Sequence, residues 1–357
     1  MVSPRMQKNG GTMAETMTDS TGGSDEPTTG GGTRVLPFEF RGEGKEYFKI
    51  WIVNILLTIL TLGIYSAWAK VRNNRYFYSN LYLDGESFRY LADPITILKS
   101  RIIAVVFFGV FVVASELFPV VGIVLALLLL AVTPYLVVRS LAFSNRMSAY
   151  RNIQFRFNAS YGEAAMALLV WPILGALTAG ILYPYAMLKS SQFIVRNSRY
   201  GSTSFDFDAK TWDYGLVFLI FLGLIIATLV VFSVVSFASS TAGVIVGALG
   251  YVLAGVYLTV MLTNVYFNST SLQAHRLAAN LELPGYLRVF VVNAILTVLT
   301  LGLYLPFAKV RLAKYRADHT QFIAAGSLEE FAAAEKEQVS ALGEELGEVF
   351  DFDVGAI

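Results

Sequence analysis

Cysteine is absent from the 357-residue chain, and histidine occurs only at His275 and His319. The first absence excludes disulfides, thiolate metal sites and thiol nucleophiles, and two histidines are too few for a multi-histidine metal centre. Walker A, G-x-S-x-G and H-E-x-x-H motifs are also missing. We therefore expect no catalytic, cofactor or metal residues, and a protein that is not an enzyme.

Charged residues are scarce as well, at 15% of the chain against about 25% in average soluble domains. Hydrophobic residues make up 55%, and the mean hydropathy is +0.57. They are concentrated in runs too long for the cores of soluble domains of this size. This composition excludes an ordinary soluble protein and predicts an integral membrane protein.

The apolar runs predict about seven helices, because a backbone in lipid must satisfy its own hydrogen bonds. The run 102–138 is too long for one span and is interrupted near Glu116 and Pro119, which indicates a hairpin turning at 115–119. A second hairpin has its turn at 236–243. The predicted segments are 50–69, the two arms of 102–138, 164–188, 215–236, 243–263 and 287–308. The fold class is an all-α membrane protein.

An internal repeat orders these segments. Residues 47–72 and 286–311 are identical at 14 of 26 positions. The run 164–188 matches both more weakly through Gly180 and Pro184, and Asn80 and Phe88 pair with Asn197 and Phe205 at the corresponding offset. The prediction is a broken helix plus a helical hairpin, twice, and then a final broken helix.

The repeated residues also resemble a known family. TLGIYSAWAKVRNNRY, the later TLGLYLPFAKVRLAKY and the lead-in FEFRGEGKEYF are similar to the YjgN-like family of bacterial inner-membrane proteins over about residues 36–322. The resemblance implies a multi-pass protein of the bacterial inner membrane. The family pattern supplies no catalytic residues to carry over, and residues 164–188 depart most from it, with Met187 where the other copies have lysine.

Charge divides the chain into parts. Residues 1–323 carry 26 bases and 17 acids, whereas 324–357 carry nine acids and one base. We expect a disordered leader (1–35), a membrane domain (36–322, with repeats at about 38–140, 155–268 and 280–322) and an acidic cytoplasmic tail (323–357). Ser327 and Glu330 form a capping-box pattern that predicts a helix in the tail. The bases lie between apolar runs, which favours contact with the bilayer over nucleic acid.

Two topologies remain open. Basic residues collect in 70–101, 139–163, 189–213 and 309–316, and the two hairpin turns have none. If all seven segments span, 70–101 and 189–213 lie on opposite sides, against the rule that cytoplasmic loops are basic. If the three broken helices are re-entrant, every basic segment is cytoplasmic. Run length favours the first arrangement and charge favours the second.

The repeat selects the candidate functional residues. Asn54 and Asn293 place costly amides in apolar helices, either lining a pathway or bonding neighbouring helices. Two further groups recur in both copies. Candidates for a pathway or for helix packing also include Gly63, Gly302, Tyr65 and Tyr304. Candidates for contact with anionic headgroups or an anionic substrate are Lys70, Arg72, Lys309 and Arg311.

The last candidate feature is a row of small residues along one helix, called the glycine seam here. Gly243, Gly247, Gly250 and Ala254 share one helix face, which indicates close packing within the monomer or in a homo-oligomer. The broken, repeated helices favour a transporter-like or permease-like protein for a small neutral or anionic solute. The absence of ionisable groups deep in the runs favours the alternative, a non-catalytic scaffold that binds anionic lipid or a partner protein.

Overall fold

Short segments in which buried and exposed residues alternate form β-strands between the apolar runs. The structure, a computed structural model, describes residues 33–340. Most of the predicted leader and the tail beyond residue 340 lie outside this range. In the strand Ile153–Phe157, the first, third and fifth side chains are buried or half-buried, while Gln154 and Arg156 are exposed. This period of two is the signature of a strand with one face toward a core.

Ten strands occur within residues 33–340. They are β1 (Thr33–Phe40), β2 (Leu81–Leu83), β3 (Glu86–Tyr90), β4 (Ser148–Tyr150), β5 (Ile153–Phe157), β6 (Ser198–Tyr200), β7 (Thr203–Phe207), β8 (Thr270–Leu272), β9 (His275–Ala279) and β10 (Thr320–Ala325). They close into one antiparallel barrel in the order β1-β10-β9-β8-β7-β6-β5-β4-β3-β2. The sequence analysis predicted an all-α fold and missed these strands.

Strand β1 closes the barrel by pairing on both sides. Its first half pairs with β10, with Val35 opposite Ile323, and its second half pairs with β2, with Glu39 opposite Tyr82. A closed barrel leaves no edge strand with unpaired backbone groups. The first and last strands of the described chain are therefore held together.

The helices fall between the strands. Within the described range they are α1 (Gly44–Leu60), α2 (Ser66–Ser79), α3 (Pro94–Leu117), α4 (Pro119–Arg146), α5 (Tyr161–Ala165), a π-helical turn (Met166–Val170), α6 (Trp171–Leu177), α7 (Tyr183–Arg196), α8 (Thr211–Ala238), α9 (Ser240–Asn268), α10 (Leu283–Leu299) and α11 (Leu305–Asp318). Residues 328–340 are also helical and are called α12 here.

Each helical hairpin joins two neighbouring strands of the barrel. The chain repeats one unit five times: a strand, a helical hairpin and the next strand, which pairs with the first. Tight turns connect the units, as at Asp84 and Gly85, whose φ angles of 49° and 78° suit a type I′ turn. All five hairpins thus leave from one end of the barrel, the helical end. The turns at 84–85, 151–152, 201–202 and 273–274 mark the other end, the turn end.

Three of the hairpins are short and contain the runs predicted as broken helices. In the first, Leu62 and Gly63 have φ angles of 51° and 93°, and the chain reverses there. The reversal brings the rings of Tyr47 and Tyr76 to 5.1 Å from each other. Ala179–Gly180 and Leu301–Gly302 have the same left-handed pair. Each run is therefore two short antiparallel helices, a fold-back that the sequence left open as the re-entrant alternative.

The two long hairpins correspond to the predicted ones. α3 and α4 meet at Phe118, and α8 and α9 meet at Ser239. Of the described helices, these four are long and apolar enough to cross a membrane. The prediction of a multi-pass helical membrane protein is confirmed in this coarse form. The count of seven crossings stays a prediction.

The glycine seam lies inside the second long hairpin. A Cβ on Gly243 would meet Ser236, one on Gly247 would meet Phe232 and one on Gly250 would meet Thr228, all three on α8. Small residues let α8 and α9 approach closely. The chain uses the seam internally, and an oligomer through the same glycines stays a prediction.

Two neighbouring glycines give a matched test of this packing. Gly250→Ala should destabilise the protein by about 1–3 kcal/mol because the methyl group would overlap Thr228. Gly255→Ala should be neutral or slightly stabilising, since nothing lies within 4 Å of its Cβ position. The measurement is the midpoint of thermal unfolding for both variants. Equal midpoints would show that α8 does not pack on this face of α9.

Candidate functional site: an apolar cavity in the barrel

The barrel surrounds a cavity of about 740 Å³. Every strand contributes at least one side chain to its wall, and ten of these side chains, one from each strand, occupy equivalent positions. The odd-numbered strands contribute Phe38, Phe88, Phe155, Phe205 and Leu277. The even-numbered strands contribute Leu83, Tyr150, Tyr200, Leu272 and Phe322. The volume lies within the range of about 300–1,000 Å³ that is usual for small-molecule sites.

The tyrosines of the wall keep their polar atoms out of the cavity. The Tyr150 hydroxyl donates to the Leu83 carbonyl at 2.7 Å, and the Tyr200 hydroxyl donates to the Tyr150 carbonyl at 3.1 Å. Burial raises the pKa of both hydroxyls, so both are neutral at pH 7. Because these groups are satisfied by the backbone, the rings present an apolar surface.

The helical end of the cavity is more polar. The wall continues there onto α4, α9 and α11 through Asn145, Thr263 and Arg316. At the same end, the Ser148 and Tyr78 hydroxyls lie 3.0 Å apart in a hydrogen bond. Thr263 lies more than a helical turn inside α9, so the cavity extends from the strands into the region between the helices. The cavity thus combines an apolar body with a few polar groups at the helical end.

Helix α12 covers the turn end. Its side chains Leu328 and Phe331 line the cavity. The Phe331 ring stacks on Tyr200 at 6.1 Å and meets His275 edge-on at 4.8 Å. Ala332 is buried in the same apolar cluster. The cavity is therefore closed by the chain itself at the turn end.

One carboxylate fastens α12 to the barrel. Glu335 is only 3% exposed and accepts hydrogen bonds from the Ser202 backbone N–H and hydroxyl, both at 2.8 Å, and from the Thr203 hydroxyl. Burial acts to raise its pKa, but the bonds from Thr203 and Ser202 outweigh burial and the pKa is lowered. The docked helix therefore favours the ionised carboxylate.

His275, on β9, also supports the docking of α12 on the barrel. Its Nδ1 accepts a hydrogen bond from the Ala325 N–H at 3.0 Å, and its ring stacks on Phe322. Burial lowers the pKa of the imidazole, so it is neutral at pH 7. Protonation would remove the acceptor that Ala325 uses.

The candidate residues from the sequence lie elsewhere, and none of them lines the cavity among its described lining residues. Asn54 is buried and its Nδ2 donates to Asn73 Oδ1 at 3.0 Å, within the first short hairpin. Asn293 Nδ2 donates to the Ala308 carbonyl at 3.3 Å, within the last one. Each asparagine thus bonds its own hairpin together, and the structure does not join the two along one path. A pathway role stays a prediction.

The repeated aromatic and basic residues pair with each other at the tips of the short hairpins. Arg72 donates to the Tyr65 hydroxyl at 3.3 Å, and the Arg311 guanidinium lies 5.8 Å from the Tyr304 ring centre. Arg72 and Arg311 are exposed, as are Lys70 and Lys309. Gly63 and Gly302 form the reversals described above. Contact of the four bases with headgroups stays a prediction.

The sequence contained one signal for the cavity. Phe88 and Phe205 were paired through the repeat, and both face the cavity from β3 and β7. The other strand residues of the wall lie in strands of three to eight residues, and the repeat did not pair them. Among the described residues, no group of three or more histidine, aspartate or glutamate side chains is placed to hold a metal ion.

Together the long apolar helices and the closed strand ladder define a helical membrane protein with a cavity in its barrel. The family model described as "Bacterial protein of unknown function (DUF898)" matches residues 35–349, and the chain belongs to this family.

The chain is also similar to curated relatives. The inner membrane protein YjgN of Escherichia coli is 35% identical over 147 residues, which is 41% of this chain and 37% of that protein. The Salmonella typhimurium protein of the same name is 34% identical over 139 residues, 38% of this chain and 34% of its own. The match spans little more than a third of these relatives. No solved structure matches the chain. The predicted resemblance to YjgN-like bacterial membrane proteins is confirmed.

The contacts of Glu335 and His275 predict how docking of α12 depends on pH. The pKa of Glu335 is lowered because its hydrogen bonds outweigh burial, and the pKa of His275 is lowered by burial. The contribution of Glu335 to docking is therefore complete above the ordinary carboxyl pKa of about 4.3 and is lost as the pH falls below it. The His275 contribution is complete above about pH 6.5 and is lost as the pH falls below that value. A nitroxide at Ala333→Cys, on the exposed face of α12, should gain mobility in two steps on acidification.

The control is Glu335→Gln in the same labelled chain. It should lose the more acidic step and keep the His275 step. An unchanged acidic step in this variant would show that Glu335 does not fasten the helix.

Proposed function

We propose that the protein binds an amphipathic molecule with a long apolar chain in its barrel, taken from the cytoplasmic leaflet, and that it does so without catalysing a reaction. The observation that carries this proposal is the cavity: ten apolar wall positions, one from each strand, and polar groups only at the helical end. An apolar chain fits the body of the cavity. A small polar head fits beside Asn145, Ser148 and Arg316.

The free energy of binding suits a ligand that exchanges between the cavity and the bilayer. Burying one CH₂ group from water is worth about 0.8 kcal/mol, but a chain that leaves the bilayer gains little of this because lipid is already apolar. Selectivity then depends on packing against the aromatic wall and on hydrogen bonds at the helical end. A ligand bound on these terms can leave again, as a lipid-handling protein requires.

The proposed membrane arrangement is four spans and three re-entrant hairpins. Both ends of every helical hairpin are fixed on neighbouring strands, so both ends lie on the same side as the barrel. The tips of the short hairpins are exposed and apolar: Leu62 and Leu301 are each 95% exposed and Ile181 is 81% exposed. Unpacked apolar tips of this kind are stable in lipid and costly in water. They support insertion of the tips into the leaflet next to the barrel.

Charge supports placing the barrel in the cytoplasm. All four basic segments of the sequence lie on the barrel or on helix halves next to it, whereas the far turns of the long hairpins, at Phe118 and Ser239, are free of Lys and Arg. Cytoplasmic segments of membrane proteins collect these residues. The acidic tail, which begins at the barrel, is then cytoplasmic too.

A permease has weaker support. In the described contacts, α3 and α4 pack on each other, α8 and α9 pack on each other, and the two pairs share no extensive interface. A pathway through a monomer needs a bundle that encloses it. The scaffold alternative is closer to the geometry, with the exposed bases Lys70, Arg72, Lys309 and Arg311 as candidate contacts for anionic lipid at the membrane surface. A homo-oligomer is compatible with both the permease and the scaffold.

Single cysteines in this cysteine-free chain test the topology. Glu86→Cys and Arg199→Cys replace exposed barrel residues from two basic segments that seven spans would place on opposite sides. A membrane-impermeant maleimide should label both from the cytoplasmic side only. Ser239→Cys, at the far turn of a long hairpin, is the control and should react from the opposite side. Labelling of Glu86→Cys and Arg199→Cys from different sides would contradict the re-entrant arrangement.

Two matched pairs of Phe→Trp substitutions test whether the cavity binds the ligand. Phe88→Trp with Phe205→Trp narrows it from two strands, whereas Phe107→Trp with Phe108→Trp changes two exposed positions of α3, 48% and 64% exposed. Native mass spectrometry of the wild type in mild detergent should show a retained amphipathic ligand. The cavity pair should reduce its occupancy at least about tenfold, as expected when a packed site is overfilled. The α3 pair should retain it.

Thermal unfolding of both pairs separates loss of binding from loss of folding. A wild type that carries no amphipathic molecule, even after incubation with excess long-chain fatty acid, contradicts the proposal. Equal occupancy in a folded cavity pair does so as well.

A further inference from the structure

Helix α12 is attached to the barrel without being part of it. Among the described residues, no backbone strand pairing involves α12, and the ten-strand ladder is closed by β1 and β10 alone. The connection from β10 passes through Gly326, which has a φ of +96°, and Ser327, whose hydroxyl accepts from the Glu330 N–H at 3.3 Å. Release of α12 from the barrel would therefore break no hydrogen bond between strands.

The two faces of α12 differ in character. The inner face presents Leu328, Phe331, Ala332 and Glu335, of which Phe331 is half-buried and the others are buried. The outer face is exposed and charged, with Glu329, Glu330, Lys336 and Glu337. A short amphipathic helix of this kind has a soluble state off the barrel, although release exposes its apolar face and the cavity wall.

The fastening is local. Glu335 binds the turn between β6 and β7, where a Cβ on Gly201 would lie 2.6 Å from its Oε2 and 3.4 Å from Val339. Glycine at this turn is what allows the carboxylate and the helix to come so close. The Ser202 hydroxyl also lies 2.8 Å from Gln338 Oε1. One turn of the barrel thus holds the C-terminal half of the described helix.

We propose that α12 is a detachable stopper on the turn end of the barrel, and that its release converts a cavity covered at that end into a passage from the membrane leaflet to the aqueous side. This inference rests on the proposed ligand binding. It adds an activity: the protein passes an amphipathic molecule between the bilayer and an acceptor on the barrel side. The cavity wall extends from Thr263 and Ala313 at the helical end to Leu328 and Phe331 of α12 at the turn end, so α12 lies between the cavity and the aqueous side at that end.

Cysteine labelling tests whether the stopper opens. In nanodiscs, Ala332→Cys lies on the buried face of α12 and Ala333→Cys lies on its exposed face. Maleimide should label Ala333→Cys quickly in every background and Ala332→Cys slowly in the otherwise wild-type chain. Adding Glu335→Gln should speed labelling of Ala332→Cys at least about tenfold. Phe331→Ala, which removes the contacts with Tyr200 and His275, is a second variant with the same expected direction.

Transfer between vesicles tests whether opening creates a passage. Donor vesicles contain the protein, with its barrel outward, and a fluorescent long-chain fatty acid; acceptor vesicles contain a quencher. Glu335→Gln should speed transfer several-fold over the wild type, and the matched surface change Glu337→Gln should not. Faster labelling of Ala332→Cys without faster transfer would overturn the passage, and unchanged labelling in both α12 variants would overturn the stopper.

Failure of the proposed function has a different signature. In that case the purified wild type carries no amphipathic ligand by native mass spectrometry, whatever the labelling of α12. A wild type that retains ligand while Glu335→Gln leaves transfer unchanged overturns this inference alone.

Discussion

Pairing of neighbouring strands around a closed barrel is the constraint on which the rest of the structure depends. Because each helical hairpin begins on one strand and ends on its hydrogen-bonded neighbour, both ends are fixed at the same end of the barrel. The length of the hairpin then decides its role. α3–α4 and α8–α9 are long enough to cross a bilayer, and the other three hairpins are shorter. The same pairing places ten wall positions around one cavity.

The sequence predicted the helices well where the signal was local. The hairpin turns near Phe118 and Ser239 follow from interrupted apolar runs, and the repeat placed Gly63 and Gly302 at equivalent reversals. The sequence did not determine whether the helix after Gly63 or Gly302 continues across the membrane or folds back on the helix before it. A run of apolar residues that spans and one that folds back have the same composition, and only contacts such as that between Asn54 and Asn73 distinguish them.

The barrel was beyond the reach of sequence reasoning for a physical reason. β2, β4, β6 and β8 have three residues each, too few to show a period of two, and β1 finds β10 at the other end of the described chain. Such strands are stable only because closure satisfies every edge. The cavity wall is assembled from one or two residues per strand and from several helices, so Phe38 and Phe322 have no shared sequence pattern. The sequence predicted a helix in an acidic tail and gave no sign of a buried carboxylate. Glu335 is buried because its partners lie on a turn that is distant in the chain.

The central claim is that the barrel cavity opens to the membrane and accepts an apolar chain. Photo-crosslinking in native membranes tests it most directly, with a long-chain fatty acid that carries a diazirine at its methyl end and with peptide mapping of the adducts. The account predicts adducts on wall residues from several strands, such as Phe88, Phe205 and Leu277, that excess unlabelled fatty acid suppresses. Adducts confined to the exposed faces of α3, α4, α8 and α9 would contradict it.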